Sequence, residues 1–336
     1  MYTVFIGTNS VRGSKGIYSL QMGIDGIPAV VSAAPAYNSG YLAPGGGRLF
    51  AVSEGMTFRG RATGGVTAYD IGENGTLTET GWQYTDGQRP CCLCAKGDGS
   101  EVIVSNFFGG LLHVYPVGPD GSVKEARLTI DEEPRIPLKA LHCVGLMPGE
   151  KVIGVVSFGR MSFILYDAYT GEKLSEYLAP DGYHPRHFAV SPDGRTVFLL
   201  MQKPPVLQIL HVSEDCRSLT PVQALPLPDQ TAVFGPSAIR VSPDGRFAAA
   251  AHRDNNTLYC YAVTPDGLAQ CSETMLPGLV PRDFDFTPDG KFIVTALQYS
   301  DQVSVHRFEN GKLTLCSVLD GIGSPASVTS LKERNE

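Results

Sequence analysis

The chain has 336 residues, of which 43% are hydrophobic and 18% charged, with 38 glycines and 24 prolines. A formal charge of -7 and a pI near 5.5 exclude a nucleic-acid groove, which needs clustered Lys and Arg to displace counterions from phosphates. The opening "MYTVFIGTNS" has no basic start or long apolar run, and nothing later reaches the roughly 18 apolar residues of a membrane span, so the expectation is a soluble cytoplasmic protein.

In chain order, short runs rich in Val, Ile, Phe and Tyr alternate with turns. "YTVFIGTN" is followed by "DGI" at 25, "APGGGR" at 43, "NGTL" at 74 and "KGDGS" at 96. "EVIVSNF" and "LHVYPV" lead to "DGSV" at 120, "MPGEK" at 147 and "TGEKL" at 170. "SPDGR" at 191 recurs at 242 and as "TPDGK" at 287, interleaved with "DCRSL" at 215, "DGL" at 266 and "NGKL" at 310. The markers Gly26, Gly75, Gly121, Gly171, Arg217, Gly267 and Gly311 are separated by 49, 46, 50, 46, 50 and 44 residues, a period of about 48.

Four strands per period is the pattern of a propeller blade, because one four-stranded sheet cannot cover both of its faces and must pack against neighbours around a ring. The expected fold is all-β: a seven-bladed β-propeller of four antiparallel strands per blade, one domain over 1–336. The missing first-turn copy falls where "GSPASVTSL" would join "YTVFIGTN", so the two chain ends share the closing blade. Such closure protects sheet edges and implies a monomer.

Seven residues before each first turn stands Pro or a substitute: Tyr37, Pro90, Leu141, Pro185, Pro236, Pro281 and Pro325. The next residues form one column around the central channel: Asn38, Cys91, His142, Arg186, Ser237, Arg282 and Ala326. A second column, at the end of the following strand, holds Glu54, Phe107, Phe158, Gln202, Arg253 and Gln298. One end of the ring thus gathers positive charge inside an acidic protein, which suits a small anionic ligand, since guanidinium forks match carboxylate and phosphate oxygens. The cluster Cys91, Cys92 and Cys94 lacks a second Cys or His pair at zinc spacing, so the cysteines are read as reduced thiols and no metal or cofactor is expected.

The stretches "GTNS…KGIYSL", "LFAVSEG…GGVTAYDI…NGTL", "QRPCCL", "SNFFGGLLHVYPVGPDGSV", "HPRHFAVSPDGRTVFLL", "SPDGRFAAAAHRDNNTLYCYAV" and "VPRDFDFTPDGKFIVTALQYSDQVSVHRF" together resemble the seven-bladed propeller lactonases. That family includes the propeller type of 6-phosphogluconolactonase and the carboxymuconate-lactonizing enzymes. The resemblance implies catalytic His142, Arg186, Arg253 and Gln202, the last standing where the family has a glutamate. A second family histidine is replaced by Ala140.

With the columns, the resemblance gives Arg282, His187, Glu54, Gln298 and Asn106 as substrate-binding residues. His142 would be the base, with Glu54 as the fallback, and Arg186 and Arg253 would anchor an oxyanion or phosphate. The implied activity is hydrolysis of a sugar lactone, 6-phosphogluconolactone first, in glucose metabolism by the pentose phosphate route. The alternatives are a non-catalytic propeller binding a sugar acid or protein partner, and a lactonizing isomerase, which Gln202 disfavours because it cannot protonate an alkene carbon.

Overall fold

The computed structural model describes residues 1–55, 57–228, 233–265 and 267–332; Asp266, at one predicted turn, lies outside them. Among the described residues the strands form seven four-stranded antiparallel sheets. The only helical turn among them is the short Glu73–Gly75, and no helix there is long and apolar enough to cross a membrane. The blades of a β-propeller are numbered here from the one holding Tyr2–Thr8.

Closure follows the expected pattern. Pro325–Lys332 is the innermost strand of blade 1 and pairs antiparallel with Tyr2–Thr8, matching Phe5 to Thr329 and Ile6 to Val328. The innermost strands of blades 2 to 7 are Leu42–Gly45, Gln88–Ala95, Leu141–Leu146, His184–Val190, Pro236–Val241 and Pro281–Phe286. Apolar side chains pack between neighbouring sheets. The Phe188 ring of blade 5, for example, lies where a Cβ on Gly154 of blade 4 would come within 2.8 Å of it.

The repeated turns are built as the sequence suggests. Asp193 Oδ1 accepts from Ser191 Oγ and from the Arg195 amide, and Ser191 Oγ accepts from the Thr196 amide. Ser242 with Asp244 and Thr287 with Asp289 repeat the device. These aspartates satisfy turn amides.

The first column has a structural cause. Pro90 pairs with Asn106 and Cys92 with Ser105, leaving Cys91 as an extra residue in the ladder. The same skip isolates His142, Arg186, Ser237 and Arg282. A proline opening the strand supplies no N–H to the ladder, and the bulged residue after it is re-aimed, here into the channel. Blade 2 departs from the expected register. Val52 N–H donates to Tyr41 O, continuing the pairing of Leu42 with Ala51, so the column position is Gly40 and not Asn38. A Cβ on Gly40 would stand 2.6 Å from Glu54 Oε2, so any larger residue there would displace the Glu54 carboxylate.

Candidate functional site

At the end of the channel where these bulges sit, Arg186 is 4% exposed and makes three bonds. Its Nε donates to Ser237 O of blade 6 at 3.0 Å. Its Nη1 lies 2.5 Å from His142 Nε2 of blade 4 and donates to Gln202 Oε1 at 3.1 Å. Arg186 and Gln202 are both extra residues of the blade 5 ladder, in which Pro185 pairs with Met201.

None of the three partners is a carboxylate. Burial, then Arg282 and Arg253, disfavour the charge on Arg186, yet a guanidinium does not give up its proton. The group is held charged in a place that raises its energy.

An arginine only donates, so His142 Nε2 accepts and the imidazole proton resides on Nδ1. Burial, then the neighbouring Arg186 and Arg282, hold His142 well below the usual imidazole range, which keeps it neutral at pH 7. Its ring stands edge-on to Phe107 at 5.7 Å, and Phe107 lies 5.8 Å from Phe158, which stacks on His184 at 4.8 Å. One wall of the site is therefore aromatic.

Beside this cluster opens a cavity of 310 Å³ lined by Asn9, Asn38, Glu54, Arg89, Arg282 and Gln298. Glu54 Oε1 accepts from Arg89 at 2.9 Å, and Arg89 also lies over the Phe108 ring at 5.6 Å. Arg282 has no hydrogen bond or ion pair among the described residues. Its charge bears on His142, Arg186 and Arg253 alike, so it joins the cavity to the buried cluster.

The expected residues thus divide. His142, Arg186 and Gln202 form one bonded group, and Glu54, Arg282 and Gln298 line the adjoining cavity. Arg253 is 8% exposed and largely spent: Nε donates to Gly235 O at 2.9 Å, and Nη2 to Phe234 O and Pro236 O. His187, one residue past the bulge, packs against His142 at 5.3 Å and Tyr41 at 6.1 Å and does not line the cavity.

Asn106 is fully buried, with its amide donating to Thr85 O and Leu111 O at 3.2 Å each. It fastens the loop at Thr85 to the start of the strand Leu111–Pro116 and stands outside the cavity. Two cavity residues escaped the sequence reading. Arg89 precedes the column proline Pro90, and Asn9 is the blade 1 member of the second column, visible only when the register is carried across the chain ends. Among the described residues no group of three or more His, Cys, Asp or Glu is placed to hold a metal ion.

Residues 3–330 match the family model described as lactonase, 7-bladed beta-propeller. The chain is 28% identical to a 6-phosphogluconolactonase of Bacillus subtilis (strain 168) across 99% of both proteins. It is 27% identical to a 6-phosphogluconolactonase of Pectobacterium carotovorum over 73% of this chain and 74% of that one. The solved structure of a periplasmic gluconolactonase from Pseudomonas aeruginosa superposes with a TM-score of 0.88 at 25% identity, covering 98% of this chain and 99% of that one. The chain belongs to the lactonase, 7-bladed β-propeller family and is a lactone-hydrolysing enzyme.

Proposed function

We propose that this enzyme opens 6-phosphogluconolactone to 6-phosphogluconate, with His142, Arg186 and Gln202 as the reaction centre. The observation that carries the reading is the 2.5 Å contact between Arg186 Nη1 and a neutral His142 Nε2, beside a cavity bearing further arginines.

Arg186 Nη2 has no hydrogen-bond partner among the described residues and is the donor for the lactone carbonyl oxygen. As that oxygen gains charge in the tetrahedral intermediate, the buried cation beside it stabilises it in a water-poor site. Drawn to the carbonyl, the guanidinium leaves Nε2, and a water takes its place. Nε2 removes the water's proton as the oxygen–carbon bond forms. The ring carbon–oxygen bond then breaks, and the same proton passes to the departing ring oxygen.

Gln202 orients Arg186 without neutralising it, so the site keeps its positive charge for an anionic substrate. Arg253, bound to three carbonyls, contributes field more than contact. A second reading makes Glu54 the base, because Arg89 engages only its Oε1, while Oε2 lies over Gly40.

The test is a pH-stat assay of freshly generated 6-phosphogluconolactone beside unphosphorylated gluconolactone, with spontaneous hydrolysis subtracted. Turnover that favours the phosphorylated lactone is expected. Turnover of the unphosphorylated lactone alone would remove the phosphate from the proposal. His142→Asn should lower kcat by about 10²- to 10⁴-fold, the usual worth of a positioned base. If Glu54→Gln has that effect and His142→Asn does not, the base is Glu54. All eight cysteines are free thiols, which supports action in a reducing cytoplasm. The closed ring supports a monomer.

A further inference from the structure

We propose that the cavity between Arg282 and Arg89 is the subsite for the substrate's phosphate, with Asn38, Gln298 and Asn9 as its amide wall. This rests on the reading that the substrate is a phosphorylated lactone. It goes further by separating the group that holds the phosphate from the group that performs the hydrolysis.

The argument begins with which arginines are free. Arg186 has two of its nitrogens committed to Ser237, His142 and Gln202, and Arg253 has two committed to three carbonyls. Arg282, in contrast, has no hydrogen bond or ion pair among the described residues, so its whole fork of donors is available. Arg89 is held by one carboxylate oxygen and an aromatic face, and its side chain is 45% exposed. Both line the 310 Å³ cavity, which lies at the small end of the range for ligand pockets and suits a single hexose unit.

The remaining lining groups supply donors as well. Asn38 Oδ1 accepts from the Ser10 amide at 2.8 Å, which fixes the side-chain amide and leaves its NH2 to donate. Asn9 Nδ2 is committed only to a long 3.4 Å contact with Ser324 Oγ. A phosphate has acceptors only, and a wall of two guanidinium forks and three amides meets that need.

Glu54 is the one carboxylate in the lining. Its bond to Arg89 offsets its charge and parks that arginine at the rim until an anion with more charge draws it over. The reaction centre and the phosphate subsite then occupy opposite walls, the first on blades 4 and 5 and the second on blades 1, 2, 3 and 7. A sugar lactone, whose carbonyl and phosphate stand at opposite ends, spans them.

The decisive measurement is the specificity ratio, kcat/KM for 6-phosphogluconolactone over that for unphosphorylated gluconolactone, in the full-length protein and in Arg282→Gln and Arg89→Gln. Removing a charge-assisted hydrogen bond to the phosphate should lower this ratio about 10- to 100-fold in Arg282→Gln, mainly through KM for the phosphorylated lactone, and less in Arg89→Gln. Inorganic phosphate should inhibit the wild type competitively, more at low salt, and lose that effect in Arg282→Gln.

A fall of equal size for both lactones would overturn the subsite and move Arg282 to the reaction centre. An unchanged ratio with wild-type turnover of the phosphorylated lactone would overturn the subsite and leave the proposed function standing. If the wild type turns over no phosphorylated lactone, the proposed function fails. Calorimetric binding of inorganic phosphate then decides the subsite alone, which is refuted if Arg282→Gln binds as well as wild type.

Discussion

Replacing Arg186 and Arg240 each by Met should separate a functional buried arginine from a structural one. The two lie on adjacent blades, with Arg240 three residues past the blade 6 bulge and so deeper in the channel than Arg186. Arg240 Nη2 donates to Asp283 Oδ1 at 2.8 Å, and Asp283, 2% exposed, has its other oxygen on the Val328 amide. Arg240→Met strands that carboxylate in the interior, a change that costs about 3–5 kcal/mol. Arg186 has no carboxylate to strand. Arg186→Met leaves Ser237 O and His142 Nε2 unpartnered at about 1–3 kcal/mol each, while Gln202, only partly buried, can turn its freed Oε1 to solvent. It also removes a buried cation crowded by Arg253 and Arg282, whose desolvation alone costs several kcal/mol.

The terms for Arg186→Met nearly cancel, and its unfolding free energy should stay within about 2 kcal/mol of wild type. Its kcat should nevertheless fall about 10²- to 10³-fold, the loss seen when an oxyanion donor is removed. Urea unfolding followed by far-UV circular dichroism gives the first quantity, and the pH-stat assay gives the second. If Arg186→Met loses as much stability as Arg240→Met while keeping its activity, Arg186 is a clamp between blades and the proposed reaction centre is wrong.

Three further predictions concern neighbouring groups. Gln202→Glu places a carboxylate on Arg186, so His142 should regain basicity and the acid limb of the kcat/KM profile should move to higher pH; a limb that stays put separates His142 from the chemistry. Asn106→Ala should cost about 1–3 kcal/mol through the stranded Thr85 and Leu111 carbonyls and leave KM for the phosphorylated lactone within about twofold; a larger rise in KM would return Asn106 to the substrate. Stability should also fall with acid. Burial, helped by Arg186, lowers His142 and His187, and burial lowers His306 to about 4. A depressed folded value gives stability that is present above the unfolded value, near 6.5, and is lost below it. From pH 7 to 5.5 that is about 1.3 kcal/mol for His306, and His142 and His187 act in the same sense. Asp285, raised by burial to about 6, and Asp283, also raised by burial, act in the opposite sense, while His113 and His184, lowered by burial, act with the three, so a net loss of stability is expected over that window. A flat unfolding free energy over that window would refute the three neutral histidines.

The ring could be read from the sequence because its period is carried by turn chemistry that tolerates little else. Ser or Thr, then Pro, Asp and Gly, recur where a carboxylate must satisfy turn amides. Where that chemistry lapses, the register slips. The blade 2 turn "APGGGR" has neither Ser nor Asp to mark its start, and the column there came out two residues early, at Asn38 for Gly40. His142, Arg186 and Arg282 were legible because a proline or its stand-in precedes each. Partners were not. Nothing in the sequence says that Arg253 would spend itself on the carbonyls of 234–236, or that Asn106 would turn away from the channel while Phe107 turns toward it. The alternation of a strand separates those last two residues, but which face is inward depends on a bulge that only the ladder reveals.

The same innermost strands also explain why the site is a cup. The bulged residues 142, 186 and 282 bear nitrogen-rich side chains without a carboxylate of their own. One residue further along, the same strands carry Cys143, His187 and Asp283, and three residues beyond the blade 6 bulge stands Arg240. Arg240 reaches Asp283 of blade 7 at 2.8 Å and the Tyr41 hydroxyl of blade 2 at 3.4 Å, and blades 6 and 2 are three steps apart around the ring. That network spans the channel with its charges paired. On its far side lies a separate cavity of 590 Å³, whose lining includes Tyr41, Arg240 and Asp285. The satisfied layer of Arg240, Asp283 and Tyr41 thus gives the unsatisfied one a floor. On the function proposed above, substrate and product would share the mouth above that floor, and the charge that draws a phosphorylated lactone in must also release the more highly charged acid that hydrolysis leaves behind.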